Sequence, residues 1–161
     1  MSTSTILPVI QPVEGDPHPE SLAKLHTAIV DARNADESFG DRADAGLAAL
    51  LAEFRALHDE HDRQLAMAMA RHGHPPDEGG SFTIYLHEGV ARLRDFFGRG
   101  DGDARAQLID GERHVIEAYN EALRRGQPAD VNELLQRQRE ELAEMIVRHD
   151  PSAATSGRHP L

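Results

Sequence analysis

Apolar residues recur along most of the chain at three- and four-residue spacing, the period of one face of an α-helix. Leu22, Leu25, Ile29, Ala32 and Phe39 mark a first helix, with Asp36 interrupting the stripe. Pro19 suits its first turn, Glu20 complements the helix dipole, and Gly40 ends it. Asp41 to Gly46 make the turn. A second helix, from about Asp44 to Arg71, carries Leu47, Leu50, Leu51, Phe54, Leu57, His58, His61, Leu65, Ala68 and Met69 on one side. His72-Gly73-His74-Pro75-Pro76 stops it, because proline cannot continue a helix and glycine suits the C-cap.

Ser81 is a good N-cap for a third, shorter helix that ends at Gly98, with Phe82, Leu86, Val90, Leu93 and Phe97 on its apolar side. Gly98 to Gly102 form a turn, and Asp103 caps a fourth helix. That helix carries Leu108, Ile109, Glu112, Val115, Ile116, Tyr119, Ala122 and Leu123, and stops at Gly126. Asp130 and Glu133 have capping-box spacing before a fifth helix with Val131, Leu134, Leu135, Gln138, Leu142, Met145, Ile146 and His149. No stretch alternates as a strand would. The expected fold is an all-α antiparallel bundle over residues 19–150, with a flexible arm over 1–18 and a disordered tail over 151–161.

Composition narrows this picture. The chain has 161 residues, a single-domain length, and no cysteine, which excludes thiol catalysis, thiolate metal sites and disulfides. Net charge is −11, with 28 acidic and 17 basic residues and no Lys/Arg cluster, so neither nucleic acid nor an anionic membrane is an expected partner. The absence of a basic, apolar leader and of a long apolar run makes a cytoplasmic, soluble protein the expectation. No nucleophile–base pair, phosphate-binding glycine loop or dinucleotide fingerprint can be assembled.

The order of helices, with Gly80-Ser81, Leu86-His87-Glu88-Gly89, Leu93, Phe97-Gly98, Gly111-Glu112, Ala118-Tyr119-Asn120-Glu121-Ala122-Leu123 and Gln136-Arg137-Gln138, resembles a family of uncharacterised bacterial ferritin-like four-helix-bundle proteins. The resemblance covers roughly Leu22 to His149. It implies two antiparallel helix pairs, one and two against four and five, with the short third helix as crossover. It implies no activity. The chain departs from the Glu-x-x-His motif of metal-binding ferritins: Glu53, Glu112 and Glu141 are followed at that spacing by Ala56, Val115 and Glu144.

Six polar residues nevertheless fall on or beside the inward faces: Asp36, His58, His61, Glu112, Gln138 and Glu141. Buried charges need partners. A first turn centred near residue 42 sets Asp36 on the order of 20 Å from His61 along the axis, outside a shared site and suited to a cap or ion pair. A ferritin-like connection makes the second and fourth helices parallel, which brings Glu112, Gln138 and Glu141 to the level of His58, with His26 near the height of His61. The candidate metal ligands are therefore His58, His61, Glu112 and Glu141, a mixed N/O set suited to Fe, Mn or Zn. The competing reading is a buried His58–Glu112 ion pair completed by Gln138. Tyr119 is expected as a core residue with a satisfied hydroxyl, His87 as an anchor of the crossover, and His72 and His74 as solvated loop residues. Two functions stay open: a non-enzymatic, structural or stress-related bundle, with self-association undecided, and a metal-binding ferritin relative with an atypical centre.

Overall fold

The computed structural model describes residues 10–40, 43–76 and 101–150, with side chains from residue 104 onward in the last segment. Four helices account for most of them: α1 Pro19–Gly40, α2 Ala45–Arg71, α3 Asp101–Arg125 and α4 Ala129–His149. The boundaries follow local chemistry. Asp44 caps α2 by accepting from Leu47 N at 2.7 Å. Gly73 and Gly126, just past α2 and α3, have φ of +84° and +89°, a left-handed conformation that favours glycine. The helix α3 begins at Asp101, ahead of the expected cap at Asp103. Asp130 proves not to be a cap either: Pro128 is the N-cap of α4, with no side-chain hydrogen bond, and Asp130 pairs with Arg71 and His72. The predicted short helix at 81–98, with His87, and the tail at 151–161 lie outside the described residues.

Each helix packs on two neighbours, α1 on α2 and α3, and α4 on α2 and α3. Polar contacts fix the direction of each pair. Along α2 and α4, Glu53 meets His149, His61 meets Glu141, Gln64 meets Gln138 and Arg71 meets Asp130, so α4 retreats residue for residue as α2 advances. The pair is antiparallel and in one register throughout. On the diagonal, His58 meets Glu112 and His61 meets Tyr119, so α2 and α3 run the same way.

The resulting all-α four-helix bundle buries Leu22, Leu25, Ile29, Leu47, Leu51, Phe54, Leu65, Ile109, Leu123, Leu135 and Leu142 almost completely, the stripes expected from the 3.6-residue period. One isolated bridge, Glu14 with Gln127, supplies the extended pairing among the described residues. It ties part of the stretch expected to be a flexible arm onto the α3–α4 turn: Gly15 N donates to Gln127 O and Gln127 N to Val13 O, both at 3.0 Å.

Candidate metal centre

The central level of the bundle is polar. Asp36 from α1, His58 from α2 and Glu112 from α3 are 3%, 0% and 2% exposed. Each offers one donor atom, and the three atoms lie within 4.8 Å of one another. Two metal–ligand bonds of about 2.1 Å span about 4.2 Å end to end, so the group is near the size of a coordination sphere. It is the one such group among the described residues.

His58 Nε2 lies 2.7 Å from Glu112 Oε2, the pair expected from the sequence. That contact leaves two buried atoms, His58 Nδ1 and Asp36 Oδ2, without a hydrogen-bond partner among the described residues. Burial, and then the negative charge of Glu112, pushes the Asp36 carboxyl well above the usual carboxylate range. With both carboxylates ionised a single imidazole would leave an excess negative charge, which is costly in an apolar interior where Phe54 stacks one turn away with its ring centroid 6.4 Å from that of His58.

The position of Asp36 is a correction. A turn centred near residue 42 separates it from the histidines. In the structure, Glu37–Arg55 and Arg33–Asp59 are centred on residue 46 and His26–Asp62 on residue 44. Each residue of shift in the centre moves facing positions by two residues, about 3 Å. The offset therefore carries Asp36 roughly 6–12 Å along α2, to the level of His58. Asp36 already stood in the α1 stripe, so its inward direction was legible and its height was not.

The other candidates form a neighbouring level. His61, 1% exposed, faces Glu141 Oε1 with Nε2 at 3.2 Å, and the Glu141 side chain is 49% exposed. Its Nδ1 lies 3.4 Å from the Tyr119 hydroxyl, which donates to Gln138 Oε1 at 3.0 Å. Gln138 in turn donates from Nε2 to His61 O and Gln64 Oε1. Burial drives the His61 pKa down to about 4 despite the contact with Glu141. Burial also raises the Tyr119 phenol well above its ordinary range, and its hydroxyl is satisfied as expected of a core tyrosine. Thus the four sequence-predicted ligands appear as two pairs, His58–Glu112 and His61–Glu141, and it is the first pair that Asp36 joins. His26 reaches Asp62, beside His61, at 2.6 Å. His72, expected in a solvated loop, instead caps α2 and meets Asp130.

These features define a class: a four-helix-bundle protein with a buried carboxylate–imidazole cluster at mid-height. A family model matches residues 19–125, and the chain belongs to that family, a domain of unknown function, DUF2383. The match spans α1 to α3 and hence Asp36, His58 and Glu112. No curated protein and no solved structure matches the chain. No described helix is long and apolar enough to cross a membrane.

Proposed function

We propose that this chain is a ferritin-like bundle that binds one divalent cation, Fe, Mn or Zn, through Asp36, His58 and Glu112. One observation carries the reading: three buried donors from three helices converge, and two of those residues keep a buried polar atom that no described group satisfies. An orphaned buried polar atom costs about 1–3 kcal/mol, more when charged. A divalent cation offsets that cost, balances two carboxylates, and matches a two-oxygen, one-nitrogen donor set. Three protein ligands leave coordination positions open, as catalytic rather than structural sites do. The competing structural reading rests on the His58–Glu112 contact alone and leaves Asp36 without a purpose.

Metal analysis of native protein purified without a tag decides between them. The expected result is close to one ion per chain, with stoichiometric binding lost in Asp36→Asn and His58→Ala. Adding the preferred cation at about 100 times its Kd stabilises by about 2.7 kcal/mol. For a chain of this size that is a rise of roughly 5–10 °C in melting temperature. Asp36→Asn keeps the shape and replaces a carboxyl whose ionisation is costly there by a neutral group, so its metal-free form should melt no lower than wild type. Metal-free native protein whose melting ignores Fe²⁺, Mn²⁺ and Zn²⁺ would leave the structural reading standing.

A further inference from the structure

A cation bound at Asp36, His58 and Glu112 has to cross a packed interior, because none of the three is more than 3% exposed. Stripping water from a divalent ion in apolar surroundings is prohibitive unless polar groups replace that water step by step. The α2–α4 seam supplies such groups. Glu141 sits at its outer edge, half in solvent, with a carboxylate oxygen 3.2 Å from His61 Nε2. His61 is itself buried, three residues beyond His58, a rise of about 4.5 Å along the same helical face. Glu141 is thus a carboxylate that touches both water and an inward imidazole one turn from the centre.

The ring of His61 is held in place. Tyr119 stands at its Nδ1, and Gln138 donates to the His61 backbone carbonyl. The acidic balance of the chain adds attraction at the outer end.

We infer that Glu141 and His61 form an entry pair that captures a divalent cation at the surface and passes it inward to Asp36, His58 and Glu112. The inference rests on the metal reading above. It makes the pair transient ligands: they set the rate of loading and leave the equilibrium content to the inner three.

Stopped-flow mixing of the full-length, metal-stripped protein with Co²⁺, followed by its d–d absorption, tests this. Glu141→Gln lies at the surface and keeps size and polarity. It should slow loading at least tenfold while final stoichiometry stays at one ion and Kd stays within about twofold. Glu144→Gln, an exposed carboxylate one turn along the same face of α4, should load at the wild-type rate; equal slowing in both variants would reduce the effect to general charge attraction and overturn the entry pair. Unchanged loading in Glu141→Gln also overturns it. So does loss of the bound ion in that variant, or two ions per wild-type chain, since either makes Glu141 a resident ligand. Failure of wild type to bind Co²⁺ at all is a separate outcome and removes the metal reading itself.

Discussion

Asp36 holds a buried place in the α1 stripe that Leu22, Leu25, Ile29 and Phe39 fill with hydrocarbon. Gly111, one residue before Glu112, breaks local preference in a different way. It lies on the exposed face of α3, where a glycine costs about 1 kcal/mol relative to alanine. A Cβ placed there meets nothing within 4 Å among the described residues. Gly111→Ala is therefore expected to stabilise by about 1 kcal/mol, a rise of roughly 2–4 °C in melting temperature, without altering metal content. A fall in a thermal-denaturation scan would mean that this face is covered. The two glycines at helix ends behave oppositely. Gly126 adopts φ +89°, a conformation in which any side chain is strained, although a Cβ there would make only ordinary contact with Val13 at 3.5 Å.

At the scale of elements, the α3–α4 turn is organised by Gln127, which is fully buried. Its side chain accepts from His18 N at 2.9 Å and donates to Ser21 Oγ and Ala122 O, while its backbone pairs with Val13 and Gly15. Asn132 adds a hydrogen bond from α4 to Gln127 O and another to Val13 O. Gln127→Ala strands several buried groups at once, and a loss of about 1–3 kcal/mol in urea denaturation is expected. Limited proteolysis should then cut first within residues 10–18, because that segment is held by this residue. None of this was visible in the sequence, since one glutamine after a helix-ending glycine carries no periodic signal. What the period did reveal was the four described helices, the inward direction of Asp36, His58, His61, Glu112 and Gln138, and the flank position of Glu141. It could not reveal height, which depends on where two helices face each other across a turn. An error of two to four residues in the centre of the α1–α2 turn was enough to separate Asp36 from the histidines it joins.

For the molecule as a whole, buried titratable groups pull stability in opposite directions with pH. Burial lowers the His61 pKa from 6.5 to about 4, so between those values the unfolded chain takes up a proton that the native chain refuses. The His61 contribution is complete above pH 6.5 and falls away as pH drops toward 4. Asp31 behaves in reverse. Burial raises its pKa from 3.8 to about 6, and one carboxylate oxygen has no hydrogen-bond partner among the described residues. The native chain therefore holds a proton that the unfolded chain releases, and the Asp31 contribution is complete below pH 3.8 and lost as pH rises to 6. Asp36 is raised in the same sense. Across pH 4–6 one histidine opposes two aspartates, so together these groups favour the native state of metal-stripped wild type as pH falls. Asp31→Asn removes one of the opposing groups. It should be more stable than wild type at pH 7, by an amount worth roughly 2–4 °C, and this advantage should shrink on acidification from pH 6 to 4, with His61 and Asp36 left to oppose each other. Removing one such proton changes the slope relative to wild type by at most about 1.4 kcal/mol per pH unit. Urea denaturation at half-unit steps, with chelator present, reads both effects. Parallel profiles for variant and wild type would show that Asp31 is ionised in the native bundle at neutral pH at no cost, and that the buried oxygen finds a partner when the chain is in solution.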